Sequence, residues 1–221
     1  MDIQGIIFDM DGTLLDSMGM WRTIFPAYFS SYVTREQAEA HMAEAETMNM
    51  DSSLTRFIEH YDIPLTLQEL KRGLVDQARE AYAQQEILPG AKDFLDQVAA
   101  AHIPMAIASC TELELVQFAL DHFGLAGYFD AVFSASMGYP SKSSPDIYLA
   151  AAKALGTDPQ KTLVAEDALV AAASAKEAGF LTLGLHWPTS RFTPQEMGEA
   201  CDVVLTCGWP GVTLDALRSL S

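Results

Sequence analysis

Six short apolar runs, at residues 5–10, 104–109, 129–134, 161–165, 181–185 and 202–206, punctuate the chain, and none alternates cleanly with polar residues. A strand with one face in water alternates. A strand covered on both faces does not, and such strands belong to parallel sheets with helices above and below. From residue 86 onward the runs are separated by helical patterns with recognisable ends. Thr111-Glu112-Leu113-Glu114 reads as a capping box opening a helix that stops near Phe123-Gly124. Ser144-Pro145 places an N-cap ahead of a proline at the first helical position, and Gly156 stands where that helix should stop. Residues 168–178 form an alanine-rich helix ended by Gly179. This alternation implies an α/β fold with a Rossmann-like, doubly wound parallel sheet.

Residues 16–85 break that rhythm. They hold no convincing strand and at least three helical patterns. The stretch 18–33 carries Trp21, Ile24, Phe25, Tyr28 and Phe29 on one broad face, expected to be a packing face, with Pro26 placed to bend it. Thr34-Arg35-Glu36-Gln37 and Thr66-Leu67-Gln68-Glu69 are capping boxes for two further helices, and Leu88-Pro89-Gly90 marks the return. The expected organisation is a discontinuous α/β core of residues 1–15 and 86–221, interrupted by a small all-helical domain over 16–85.

With 49% apolar residues among 221, the chain can bury a sizeable core. Thirteen basic against thirty acidic residues give a net charge of −17, which repels phosphate backbones and anionic bilayers, so neither nucleic acid nor membrane is an expected partner. Cys110, Cys201 and Cys207 are an odd set without metal-type spacing and read as free thiols of a reducing compartment. The start, Met1-Asp2-Ile3-Gln4, does not read as a signal peptide, and no apolar run reaches membrane-spanning length. A cytoplasmic location is expected. No extended apolar segment is left over once core and insertion are assigned, so the expectation is a monomer.

The chemistry gathers at the strand ends, where open α/β sheets bind their ligands. The first strand runs into Asp9-Met10-Asp11-Gly12-Thr13, Ser109 ends the second, Lys142 lies in the loop after the third, and Glu166-Asp167 end the fourth. Asp9, Asp11 and Asp167 would be a cluster of like charges, unstable without a cation. A hard divalent ion with oxygen ligands, Mg2+ most simply, relieves that repulsion and binds phosphate. Lys142 and Ser109 would hold the remaining phosphate oxygens.

Taken in order, Asp9-Met10-Asp11-Gly12-Thr13, Ser109, Lys142 with Ser144-Pro145-Asp146, and Glu166-Asp167 resemble the four motifs of the haloacid dehalogenase-like superfamily. The helical block resembles that superfamily's small α-helical cap, and the return through Leu88-Pro89-Gly90 is similar to the β-phosphoglucomutase and phosphoglycolate phosphatase branch. The resemblance covers nearly the whole chain. It implies that Asp9 is a nucleophile forming an aspartyl-phosphate, and that Asp11 protonates the leaving oxygen and then activates water. It further implies a Mg2+ held by the Asp9 carboxylate, the Asp11 backbone carbonyl and Asp167, with Ser109 and Lys142 on the transferring phosphoryl group. Glu166 is expected in an outer or capping position. Two departures stand out: Ser143 follows Lys142 where proline is common, and Ala168 and Ala171 replace the usual Ser-x-x-Gly after the acidic pair. Neither removes a catalytic group.

Other residues carry plainer readings. Asp16 and Ser17 are a hinge and a first helix cap, and Asp146 is a first-turn acid. The five histidines show no metal or triad pairing, and the ten methionines read as core filler. Met48 to Asp51 and the arginines Arg22, Arg56 and Arg79 are candidates to face the site. The expected function is a Mg2+-dependent phosphatase of a small phosphorylated metabolite, such as a sugar phosphate or phosphoglycolate. Two alternatives stay open at this point: a phosphomutase using the same residues, and a non-catalytic phospho-ligand binder on the same fold.

Overall fold

The computed structural model describes residues 1–45 and 48–220. Six parallel strands form one sheet: β1 (Gly5–Phe8), β2 (Met105–Ser109), β3 (Ala131–Ser134), β4 (Thr162–Glu166), β5 (Leu181–Leu185) and β6 (Val203–Leu205). Their order across the sheet is β3-β2-β1-β4-β5-β6. Each of the six expected runs is therefore a strand. Those in the middle are buried along their length, while the two edge strands are only half-buried because each lacks a neighbour on one side. Period-two alternation sorts the core: Ile6 and Phe8 pack into one apolar cluster, and Ile7 packs into another on the opposite face with Ala106, Ala108 and Val164.

The strand order reverses beside β1, which pairs with β2 on one side and β4 on the other. This is the switch point at which the loops leaving adjacent strands diverge and open a crevice. The crossover helices are α5 (Ala91–Ala100), α6 (Leu113–His122), α7 (Asp146–Leu155), α8 (Leu169–Glu177) and α9 (Pro194–Ala200), and α10 (Leu214–Ser219) follows the last strand. Gly156 ends α7 in the left-handed conformation, as its position in the sequence implies.

Two helix starts differ from expectation. The helix α6 begins without a side-chain cap, because the Thr111 hydroxyl donates instead to Asp11 and the Glu112 carboxylate pairs with Lys71 at 2.9 Å. The helix α7 starts at Asp146, with Pro145 at the cap and the Ser144 hydroxyl turned to the Asp146 carboxylate.

Between β1 and α5 the described residues make four helices: α1 (Met18–Phe29), α2 (Arg35–Ala45), α3 (Met50–Tyr61) and α4 (Leu67–Tyr82). Reciprocal capping boxes open α2, through Thr34 and Gln37, and α4, through Thr66 and Glu69. The helices share an apolar cluster of their own, centred on Phe25, Phe29, Leu54, Phe57 and Leu70. Chain entry and exit run side by side: Leu88 N–H donates to Leu14 O at 2.8 Å and Asp16 N–H to Glu86 O at 2.9 Å. Among the described residues no helix is long and apolar enough to cross a membrane.

His41 of α2 is buried against Phe25 and Phe57, with Nε2 at 3.0 Å from Ser53 O. Burial holds its imidazole below the usual 6.5; Ser53 and Glu44 pull the other way, and Arg56 and His60 reinforce the lowering. The unfolded chain therefore takes up this proton first as pH falls. Stability from this group is complete above about pH 6.5 and declines as pH falls below it towards the lower native value. The melting temperature of the wild type should fall more steeply between pH 7 and 5 than that of His41→Gln; parallel curves would contradict this.

Candidate active site

The floor of the site is built where β1 and β4 end side by side. Asp9 follows β1 directly, and its N–H donates to Ala165 O across the sheet at 3.0 Å. Glu166 is the last residue of β4 and Asp167 the next. Lys142 reaches in from the loop after β3 and is almost fully buried; its ammonium lies 2.5 Å from Asp9 Oδ1 and 2.6 Å from Glu166 Oε1. The lysine loop is anchored by Ser174 of α8, whose hydroxyl donates to Lys142 O at 2.6 Å. Tyr148 of α7 donates to the same Glu166 Oε1 at 2.6 Å. Glu166 thus sits among the site's charges and not merely at a helix cap. Ser109 is buried beside them, its Oγ accepting from Thr111 N–H at 3.1 Å and so also closing the turn after β2.

Asp11 faces another direction. Its Oδ1 accepts from Ser17 Oγ and from Tyr82 Oη, both at 2.5 Å, and its Oδ2 accepts from Thr111 Oγ1 at 2.8 Å. Tyr82, the last residue of α4, also accepts from Trp21 Nε1 at 3.2 Å. Burial, with the Asp11 charge behind it, holds the Tyr82 phenol well above its ordinary range, so it serves as a donor. Ser17, expected to cap α1, makes no cap bond, because its hydroxyl is committed to Asp11.

The turn that follows the two aspartates is pinned from afar. Trp209 Nε1 donates to Thr13 O at 2.7 Å and Trp187 Nε1 to Gly12 O at 3.2 Å. Gly12 has φ +81°, and a Cβ there would stand 2.1 Å from Asp167 Oδ2 and 2.9 Å from Met18 Cγ. Only glycine lets this turn approach the carboxylate so closely.

Three carboxylates, those of Asp9, Glu166 and Asp167, bring one oxygen each to within 4.8 Å of one another. A single ammonium opposes them. Burial pushes the Asp9 carboxyl up to about 7; Lys142 pulls it down, while the Glu166 and Asp11 charges raise it further. Burial also works against the Lys142 ammonium, but the Asp9 and Glu166 charges outweigh it and hold the lysine well above its usual range. Glu166 Oε2 is buried with no hydrogen-bond partner. An excess of buried carboxylate over cation with one oxygen unsatisfied fits a hard divalent ion, which takes oxygen ligands of this kind. Asp11, expected to offer its backbone carbonyl, keeps its carboxylate outside this group.

These residues form the floor of a cavity of about 660 Å3 that extends up to the four-helix block. Of the arginines considered from sequence, Arg22 lines it, whereas Arg56 pairs with Glu44 and Arg79 with Glu114. Trp21 is a wall of this cavity as well as a packing residue, and Met18, Met42, Met48 and Met50 line it too, so they are more than core filler. Cys110 also lines it, but burial pushes its thiol up to about 12, which leaves no thiolate to react. Tyr82, Tyr148, Ser174, Trp187 and Trp209 carry no sequence signal for these contacts, whose partners lie 18 or more residues away, and the signal at Thr111 is that of a helix cap.

The family model for haloacid dehalogenase-like hydrolases matches residues 3–179. The fructose-1-phosphate phosphatase YqaB of Escherichia coli is 29% identical over 179 residues, covering 79% of this chain and 92% of that protein. A phosphorylated carbohydrates phosphatase of Thermotoga maritima is 27% identical over 187 residues, covering 80% of this chain and 82% of its own length. Among solved structures, CbbY from Rhodobacter sphaeroides in complex with phosphate superposes with a TM-score of 0.85 at 24% identity, over 98% of this chain and 99% of that one. The motif order, the parallel sheet and the match across most of the sequence converge: this chain belongs to the haloacid dehalogenase-like hydrolases.

Proposed function

We propose that the protein is a Mg2+-dependent phosphatase of a small phosphorylated metabolite, acting through an aspartyl-phosphate on Asp9. The observation that carries this reading is the buried contact of Asp9 with Lys142, placed on the floor of the cavity beside two further carboxylates. A carboxylate at a strand end, aimed into a cavity and held by an ammonium, is placed to attack an electrophile that brings its own negative charge. The phosphatase names of similar proteins support phosphate esters as that electrophile.

In this reading Asp9 attacks phosphorus, forming an Asp9 O–P bond as the ester P–O bond breaks. Asp11 gives its proton to the departing oxygen. Lys142 and Ser109 bind phosphoryl oxygens and stabilise charge there. Asp11 then removes a proton from water, which attacks phosphorus and releases Asp9 and inorganic phosphate. Ser17, Tyr82 and Thr111 fix the orientation of the Asp11 carboxylate throughout. Asp9, the Asp11 backbone carbonyl and Asp167 would hold the Mg2+, with Glu166 beside them. When bound, the ion supplies positive charge to the phosphoryl oxygens and offsets the surplus of carboxylates. The helical block of residues 16–85 acts as a cap that excludes bulk water and selects the leaving group.

A panel of sugar phosphates and phosphoglycolate should yield inorganic phosphate only with Mg2+, and Asp9→Asn should lower turnover by on the order of a thousandfold or more with its melting temperature preserved. Substantial turnover in that variant would refute the assigned nucleophile. Isomerised sugar phosphate that requires an added bisphosphate, in place of released phosphate, would make the protein a mutase.

Tyr82→Phe removes one donor to Asp11 and should lower kcat by about ten- to a hundredfold with little change in KM. In an Asp11→Asn background the same change should have almost no further effect. Independent, multiplying losses in the two variants would show that Tyr82 does not act through Asp11.

A further inference from the structure

We propose that the natural leaving group carries a flat, largely apolar ring system and is not a bare polyol. This rests on the phosphatase reading above and concerns what the cavity selects once the phosphoryl group is seated. The cavity, at about 660 Å3, is far larger than a phosphoryl group needs and falls in the range of sites for drug-sized ligands. Above its acidic floor the wall is formed by Met18 and Trp21 of α1, Met42 of α2, Met50 of α3 and Met48 just before it, with Phe25 behind.

A sugar in such a site would need a partner for each hydroxyl that leaves water, and a missing partner is costly. Polar side chains along this wall have partners within the protein, and Arg22 Nη1 donates to Thr189 O at 3.2 Å. Thr23 Oγ1 donates to Gly19 O at 2.9 Å, Ser53 Oγ lies 3.2 Å from His41 Nε2, and Arg35 pairs with Glu39 at 2.7 Å. Trp21 directs its N–H to Tyr82, so the part of the indole that lines the cavity offers it no donor. Methionine sulfur makes favourable contacts with aromatic rings, and its flexible chain fits their edges. A cavity wall that holds one tryptophan and four methionines therefore fits a planar ring better than a hydroxyl-covered chain. Continuity with Asp9 and Lys142 commits the wall to the body of the phosphorylated molecule itself.

The test compares primary alkyl phosphates, whose leaving alcohols are of similar acidity: naphthylmethyl phosphate and pyridoxal phosphate against ribose 5-phosphate and glycerol 3-phosphate, with acetyl phosphate as a compound too short to reach the wall. With Mg2+, kcat/KM for the ring-bearing esters should exceed that for the polyol esters by about tenfold or more, mainly through KM. In a Met42→Gln/Met50→Gln variant that advantage should shrink to about threefold or less. Polyol esters equal to or better than ring-bearing ones in the wild type would overturn the inference while leaving the phosphatase reading intact, as would an undiminished advantage in the variant. Absence of phosphate release from every compound, acetyl phosphate included, would instead overturn the reading on which it rests.

Discussion

The buried ammonium of Lys142, lying between Asp9 and Glu166, is the contact on which the rest of this structure depends. Three distant pieces of chain must meet to make it: the end of β1, the loop after β3 and the end of β4. Taking charges out of water is expensive, and a buried pair is tolerated only where partners satisfy it. Here the lysine cannot balance its surroundings alone, since Asp167 adds a third carboxylate and Asp9 is pushed towards protonation. The residual imbalance is what supports the proposal that the floor takes a divalent cation, and with it phosphate.

The sheet explains why these charges are where they are. Reversal of strand order beside β1 opens a crevice at the carboxyl ends of β1 and β4, and the end of β2 borders the same space. The four-helix block leaves the core immediately after the Asp9–Leu15 turn and returns beside it. As a result its residues reach the floor from above: Tyr82 from the end of α4 and Trp21 from α1. The orientation of Asp11 is thereby tied to both parts of the molecule, through Tyr82 from the helices and Thr111 from the core.

Much of this was legible in the order of residues. Strand runs, helix stops at glycine and the chemistry at successive strand ends are local patterns, and Asp9, Ser109, Lys142, Glu166 and Asp167 could be placed from them. The network around Asp11 could not be read this way, because its partners lie 71 and 100 residues away and nothing in the sequence near Tyr82 or Thr111 marks their target. Thr111 illustrates the limit well. Its sequence context signals a helix cap, yet a nearby carboxylate competes for the same hydroxyl and wins. Trp21 likewise has the periodicity of a packing residue, and only the fold reveals that it also lines the cavity. The contacts of Glu166 with Lys142 and Tyr148 depend on burial, which is not visible in composition.

The claim that the buried carboxylates form a divalent-cation site is tested most directly by thermal melting at neutral pH, with and without millimolar Mg2+, in the wild type and in Asp167→Asn. The account predicts that Mg2+ raises the melting temperature of the wild type, while the variant, relieved of one carboxylate, gains little from the ion. Equal responses in the two proteins, or no response in the wild type, would contradict it.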